Sequence, residues 1–326
     1  MQISIIIPSA GRRPELLKRA INSAHVAGLS YEILVILNGK DGFDFKIDDS
    51  YINQNVQYYK IVEGNVSKAR NYGLTLAKGQ LVRFLDDDDY LYTDIALKQY
   101  EEMLANITCA VSNYAIDLKA ENTDIYQTYK PSSYDDYVSN AIYDGSLSVP
   151  FSLVYRRNYI SDLEWDELCR FPEDQDFIRQ LAMKQDVKWI KSNVSVGVWF
   201  QHESDRLSVN MITHWFVSNK YRSLINLKES LEKSNRLTDL NRQLLAETIW
   251  HYIHLAFFFN PLFWYKASIE ACKLVPNSKP DRKIFYYVPS IIDPILIEIL
   301  IIPKKWFFYG FKYFRQIILG NKKRKL

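Results

Sequence analysis

Four consecutive aspartates, Asp86 to Asp89, close the apolar run QLVRFL in the stretch RFLDDDDYL. Four like charges repel one another, and fewer would end a strand. Adjacent carboxylates behind a rigid strand offer hard oxygen ligands to a divalent cation, and Mg2+ or Mn2+ sites built on one or two carboxylates complete their shell with substrate phosphates. The stretch lacks the Asp/Asn alternation, central Gly and closing Glu of an EF-hand; a solvated acidic turn is the plain alternative. A second acidic group, FPEDQDF, crowds Glu173, Asp174 and Asp176 into a helix start. Acids there either stabilise the first turn through the helix dipole or supply a carboxylate base to an incoming hydroxyl. In EGNVSKARNYG, Lys68 and Arg70 stand beside helix-start amides, which suits a phosphate or ribose contact or simply a solvated helix face. In FQHESDRLS, His202 follows a strand with Arg206 and Ser208 nearby. Its imidazole completes a metal shell only if it faces the aspartates.

These groups need a frame. ISIIIP, EILVIL, VQYYKIV and QLVRFL read as four buried strands. RPELLKRAINSAHVAG reads as a helix with Pro14 in its first turn and Gly28 as its end, and NVSKARNYGLTLAKG as a second, capped by Asn65 or Ser67 and stopped by Gly79. Near-continuous Ile/Val/Leu strands alternating with helices imply a mostly parallel sheet covered on both faces, and ligands of such sheets bind at the carboxyl ends of the strands. The aspartates lie at such an end. Beyond them the pattern continues with a helix near 93–105, strands CAVSNYAI and SLVYRR, the acidic helix, and two short strands, VKWI and VGVWFQH. From about Ser208 the chain is helical and aromatic-rich, with turn signals near 234–236, 260–261 and 276–281. The domain reading is therefore a catalytic α/β domain over 1–207 and a helical region over 208–326.

The 326 residues, 48% hydrophobic and 24% charged, suffice for one large domain with an appendage and exclude a disordered chain. Three scattered cysteines, Cys109, Cys169 and Cys272, argue against a disulfide framework or zinc knuckle and for a reducing compartment. The opening MQISIIIPSAGRR reads as a strand without a cleavable leader. The net charge of +3 hides an asymmetry: 279–326 carries eleven basic and three acidic residues, and the remainder has a net charge of −5. A basic tail on a mildly acidic body suggests an anionic partner.

The order of the motifs is more specific than any one of them. ARNYGLTLAKGQLVRFLDDDD resembles the signature of the family-2 inverting glycosyltransferases, whose fold is of the GT-A type. Ala69, Arg70, Asn71, Gly73, Ala77, Gly79, Phe84, Leu85, Asp86, Asp88 and Asp89 match it position for position, and ISIIIPSAGRRPELLKRAINS is similar to that family's opening strand and helix. The resemblance covers roughly 1–205 and leaves 207–326 outside.

What it implies is a nucleotide-diphospho-sugar lying across the first strands, a UDP-sugar being favoured. Pro8 and Ser9 then line the base or ribose pocket, with Arg12, Lys68, Arg70 and Asp87 among the donor-contacting positions. Asn38 stands where the family usually has Asp. Asp86 and Asp88 match the D-x-D pair: Asp86 contacts ribose or metal, Asp88 ligates Mn2+ or Mg2+ on the diphosphate, and His202 matches a position near that metal. Asp89 supports, and Asp87 is the replaceable member. Glu173 and Asp174 match the acceptor-activating pair, with Asp174 the base. Processive synthases of the family carry Q-x-x-R-W and membrane spans; neither is seen here, so one sugar is expected per binding event.

Two other enzyme and non-enzyme readings stand beside this: a sugar nucleotidyltransferase, for which PSAGRRPE is a poor triphosphate loop, and a non-catalytic acidic metal-binding protein. In the C-terminal third, 284–303 has the length of a membrane span but is interrupted by Pro289, Asp293, Pro294 and Glu298. PKKWFFYGFKYFRQIILGNKKRKL mixes aromatics with Lys and Arg and fits a helix lying on an anionic membrane, or else a docked helical region or one that forms a homo-oligomer. The expectation is an enzyme peripheral on the cytoplasmic face of the inner membrane, acting on a glycan or polyprenyl-diphosphate-linked glycan of cell-surface polysaccharide synthesis. No nucleic-acid motif accompanies the basic residues.

Overall fold

A computed structural model describes residues 1–47, 55–143, 148–168, 173–185, 187–202, 213–287, 289 and 292–307. The chain divides into two compact units, 1–210 and 211–326.

The first unit is built on one sheet. β1 (Ile3–Ser9), β2 (Tyr31–Asn38), β3 (Val56–Ile61) and β4 (Leu81–Phe84) pair in parallel in the order β3-β2-β1-β4. β1 and β4 are buried along their whole length, as a strand covered on both faces must be. α1 (Pro14–Ser23) and α3 (Val66–Leu76) make two of the connections, and a short α2 (Gly39–Asp44) follows β2 directly. α2 gives no signal in the sequence, because GKDGFD carries two glycines and no apolar periodicity. α1 ends at Ser23, earlier than expected, and Gly28 instead supplies a positive φ of 76° in the turn beyond. Asn65 is the cap of α3, its side chain accepting from the amide of Lys68, while Ser67 is buried inside the helix; such a cap contributes about 1 kcal/mol.

Beyond β4 the sheet changes character. A two-residue β5 (Tyr90–Leu91) and α4 (Thr93–Ala105) lead to β6 (Cys109–Ala120), β7 (Tyr126–Tyr129), α5 (Tyr137–Ile142), β8 (Leu153–Arg156), α6 (Arg157–Ile160), α7 (Glu173–Met183) and β9 (Lys188–Gln201). β8 joins β4 antiparallel, β6 joins β8 antiparallel, and β9 runs parallel to β6. The parallel reading therefore holds for the first half of the sheet, and the second half is mixed. VKWI and VGVWFQH are not two strands but the ends of β9, whose polar centre KSNVS interrupts the apolar pattern while its backbone follows β6 through irregularities in register.

Glycines fix how closely helix and sheet approach. Gly79 does not stop α3, which ends at Leu76; a Cβ there would lie 2.4 Å from the Ser4 nitrogen and 2.5 Å from the Ile3 carbonyl carbon. Gly73 faces Ile6, whose Cγ2 would be 2.4 Å from an added Cβ. The Gly79 amide also donates to Ser4 Oγ, which in turn donates to the buried Glu32 carboxylate.

The second unit contains α8 (His214–Lys233), α9 (Asp239–Ala256), α10 (Pro261–Leu274), α11 (Lys283–Tyr286) and α12 (Pro294–Leu300). Thr213, Thr238 and Asn260 cap the first three through their side chains, and the turns fall where Asn235 and Asn277 take positive φ. The interruptions read in 284–303 are real breaks: Asp293 caps α12, and Glu298 is fully buried between His254 and Lys305. Among the described residues no helix is long and apolar enough to cross a membrane. The remainder of the basic aromatic tail, 308–326, lies outside the described residues.

Because a methyl at Gly79 must displace backbone rather than a pliant side chain, Gly79→Ala is expected to lower unfolding stability by about 2 kcal/mol or more. Urea denaturation checks this; a change under about 0.5 kcal/mol would mean that β1 and the α3–β4 turn can separate.

Candidate active site

The site forms where β1, β2 and β4 end together. Ser9, the last residue of β1, donates its hydroxyl to Asp87 Oδ2 at 2.5 Å, and its backbone carbonyl accepts the Asn38 side-chain amide at 3.0 Å. Three strand ends are thus laced together by side chains. Asp87 is the member that the family pattern leaves free to vary, yet it is buried at the centre of this lacing. Burial first, and then the neighbouring charge of Asp88, push its carboxyl up to about 7, against the pull of the Ser9 hydrogen bond and Arg13.

Arg70 gathers the acids. It is 2% exposed, and its guanidinium donates to Asp86 Oδ1 at 2.7 Å, Asp174 Oδ1 at 3.1 Å and Glu173 Oε1 at 3.3 Å. Trp165 covers it, with the guanidinium carbon 4.3 Å from the ring centroid. Trp165 stacks on Phe177 of α7 at 4.4 Å and meets Phe84 of β4 edge-on at 4.9 Å. Asn71, next along α3, holds the Trp165 backbone by both its amide and its carbonyl. The aromatic packing thereby docks the start of α7 beside the end of β4, bringing two acidic motifs far apart in sequence onto one cation. Burial alone would lower the Arg70 pKa; Asp86, Asp174 and Glu173 together raise it above the usual arginine value, so it stays charged.

Glu173 and Asp174 differ in surroundings. The Glu173 side chain is 7% exposed and that of Asp174 is 32% exposed. Burial and then the Asp174 charge raise the Glu173 pKa, and one of its oxygens, Oε2, has no hydrogen-bond partner. Burial also raises Asp174, but Arg70 opposes it more directly. Both carboxyls are thus pushed upward by burial, with Arg70 holding Asp174 back more than Glu173.

The other two aspartates face away from Arg70. Asp88 Oδ2 lies 2.9 Å from His202 Nε2 and 3.2 Å from Arg13 Nη1, and the same guanidinium nitrogen also contacts His202 Nε2. Asp89, buried, accepts the backbone amide of Phe200 at 2.9 Å, which seats the end of β9 and with it His202. Arg19 donates to the Asp88 carbonyl at 2.7 Å, its guanidinium over the rings of Tyr90 and Phe200. Phe200 is therefore packed under Arg19, while its neighbour Trp199 is partly buried against the core. His202 faces Asp88, the arrangement on which a shared metal site depends. Asp88 Oδ2 and His202 Nε2 have the spacing of two adjacent ligands of an octahedral ion, about 3.0 Å for bonds of about 2.1 Å, so the pair fits Mn2+ or Mg2+ with further ligands from a substrate diphosphate. Among the described residues no group of three His, Cys, Asp or Glu side chains is arranged around one such point.

Other expected residues stand farther out. Lys68 is partly exposed and pairs with Glu63 at 3.3 Å, and Arg12 pairs with Asp41 at 2.7 Å on the surface. Pro8 is buried in β1 opposite Ile36. Arg206 and Ser208 lie outside the described residues. Arg13, Arg19 and Trp165 belong to the site without any sequence signal: one arginine before a helix and one within it look solvated, and one tryptophan carries no spacing pattern.

Residues 4–163 match the model of glycosyl transferase family 2. That match ends before α7 and β9, so Glu173, Asp174 and His202 lie beyond it. The chain is similar to EpsH, a putative glycosyltransferase of Bacillus subtilis (24% identical over 68% of this chain and 66% of that protein), and to an uncharacterized glycosyltransferase of Haemophilus influenzae (27% identical over 40% of this chain and 55% of that protein). The matches thus span somewhat under two thirds of the length of these relatives. The fold is that of S. aureus TarS 1-349 in complex with UDP-GlcNAc: TM-score 0.61 and 17% identity over 85% of this chain and 82% of that one. This is the GT-A fold expected from the motif order.

Arg70→Met leaves Glu173 and Asp174 without their cation and is expected to destabilise the protein by about 3 kcal/mol or more at pH 8. Without Arg70 the folded-state pKa of both acids rises further above the unfolded value. The stability they support is then fully present only below the unfolded pKa and is lost as pH rises through the folded one. The deficit relative to wild type should therefore shrink between pH 8 and pH 5.5 in denaturant titrations. A deficit independent of pH would deny the electrostatic role.

Proposed function

We propose that the chain is a metal-dependent inverting glycosyltransferase that moves one sugar from a nucleotide-diphospho-sugar to a hydroxyl of a glycan or lipid-linked glycan. The observation that carries this reading is the joining of Asp86, at the donor end of the sheet, to Asp174 on α7 through one buried guanidinium. A donor-site acid and an acceptor-side base held in one frame are what a single displacement requires. A UDP-sugar is favoured, in keeping with the UDP-GlcNAc bound in the TarS structure.

In this reading the lacing of Ser9, Asn38 and Asp87 shapes the nucleotide pocket, and Asp86 orients the ribose or the metal-bound diphosphate. Asp88 and His202 hold a divalent ion, which when bound neutralises charge growing on the leaving nucleoside diphosphate. Asp174, ionised and partly open to solvent, takes the proton of the acceptor hydroxyl as its oxygen attacks the anomeric carbon from the face opposite the leaving group. Arg70 fixes the carboxylate's direction, and buried Glu173 remains protonated beside it.

The C-terminal unit is the proposed contact with the acceptor's membrane. Leu300, Trp306 and Phe307 are 73%, 63% and 80% exposed, next to Lys304, the mixture expected of a helix end at an anionic interface. Deleting 281–326 is expected to abolish co-sedimentation with anionic vesicles; unchanged partitioning would remove the membrane from this reading.

Incubation with UDP-, GDP-, CDP- and dTDP-sugars and Mn2+ tests the activity. Release of nucleoside diphosphate supports transfer, whereas release of pyrophosphate from nucleoside triphosphate and sugar phosphate would mark a nucleotidyltransferase. Asp174→Asn is expected to reduce kcat about a thousandfold while still binding UDP. Because burial lifts the Asp174 pKa, kcat/KM should fall as pH drops through a value above the ordinary aspartate range near 4. An acid limb at or below pH 4, or turnover retained in Asp174→Asn, would exclude Asp174 as the base.

A further inference from the structure

The cation that Asp88 and His202 meet in this structure belongs to the chain. Arg13 stands at the cap position before α1 and makes no side-chain cap hydrogen bond. Its Nη1 contacts Asp88 Oδ2 at 3.2 Å and His202 Nε2, and its Nη2 lies 3.5 Å from Asp87 Oδ1. The guanidinium therefore touches the same carboxylate oxygen and the same ring nitrogen that are spaced to ligate a divalent ion. An ion bonded to both atoms at about 2.1 Å would stand within a few ångströms of it. At that separation the two like charges repel, at a cost of about tenfold in ion binding for a partly exposed pair.

The three arginines around the aspartates differ in what holds them. Arg70 is 2% exposed and bonds three carboxylates. Arg19 is fastened to a backbone carbonyl and set against two rings. Arg13 is 28% exposed, and two of the three groups it meets are the atoms a metal would claim. Its long side chain can turn outward without breaking a backbone contact, and the charge it would turn toward is the diphosphate that arrives with the metal.

We propose that Arg13 is a built-in counter-cation for the Asp88–His202 pair, displaced when metal and nucleoside diphosphate bind together, the ion taking the pair and the guanidinium moving to the diphosphate. This rests on the metal-dependent transferase reading above. Arg13 then penalises metal binding in the absence of nucleotide and rewards it in its presence, so that the two ligands bind cooperatively, each raising the affinity of the other by the same factor.

The test is direct Mn2+ binding to the full chain, followed by the free-ion electron paramagnetic resonance signal, with and without UDP. Arg13→Ala is expected to bind Mn2+ alone about tenfold more tightly than wild type, from removal of a like charge, and to show a smaller enhancement by UDP. Arg13→Lys, which keeps the charge, should stay near wild type in the absence of UDP. Asp88→Asn serves as the control and should lose Mn2+ binding. If Asp88→Asn loses binding but Arg13→Ala binds Mn2+ no tighter than wild type, the counter-cation is overturned while the metal site stands. If Asp88→Asn still binds Mn2+ as wild type does, the metal reading falls and the proposal with it. Comparable thermal melting of the Arg13 variants and wild type keeps a folding defect from being read as either result.

Discussion

One buried guanidinium surrounded by three carboxylates sets the geometry of the candidate site where β4 and α7 meet. A charged arginine removed from water needs partners for its charge and its donors, and here three acids supply them. Asp86 comes from the end of β4, while Glu173 and Asp174 come from the first turn of α7. Neither element can move without leaving a charge uncompensated. The sheet positions Asp86, the aromatic stack of Phe84, Trp165 and Phe177 positions α7, and Arg70 converts two packing arrangements into one electrostatic unit. Burial lifts both carboxyls of α7, and the same guanidinium offsets that shift more at Asp174 than at Glu173.

The parallel half of the sheet and the mixed half contribute different things. The parallel strands bring Ser9, Asn38 and the aspartates to one edge. The mixed half returns the chain to that edge twice, through α7 and through the end of β9, where Asp89 anchors Phe200 and so places His202. The family match over 4–163 covers the first contribution and stops short of the second, although the chemistry proposed needs both.

Much of this is legible in the amino-acid sequence. Four apolar runs locate the parallel strands, the spacing from ARNYG to FLDDDD sets the register of the acids, and the break at Pro289 to Pro294 is visible as interrupted hydrophobicity. What the sequence hides is decided by partners remote along the chain. Arg70 reads as a phosphate ligand on its own helix, since nothing local says that three carboxylates will converge on it. Asp87 looks replaceable until Ser9 is brought to it by the pairing of strands. Arg13, before α1, and Arg19, within it, look like solvated residues until the end of β9 delivers His202 and Phe200 to the same place. β9 itself reads as two strands because its middle is polar, and the hydrogen bonds that continue it come from β6, not from its own residues. Gly79 reads as a helix stop because a glycine after a helix usually is one; the nearness of the β1 backbone is a tertiary fact.

α3 is seated tightly on the sheet. With Gly73 against Ile6 and Gly79 against the Ser4 backbone, an added methyl at either position crowds its neighbour, so the depth at which the helix bearing Arg70 sits on the sheet is set by two residues that contribute no side chain at all.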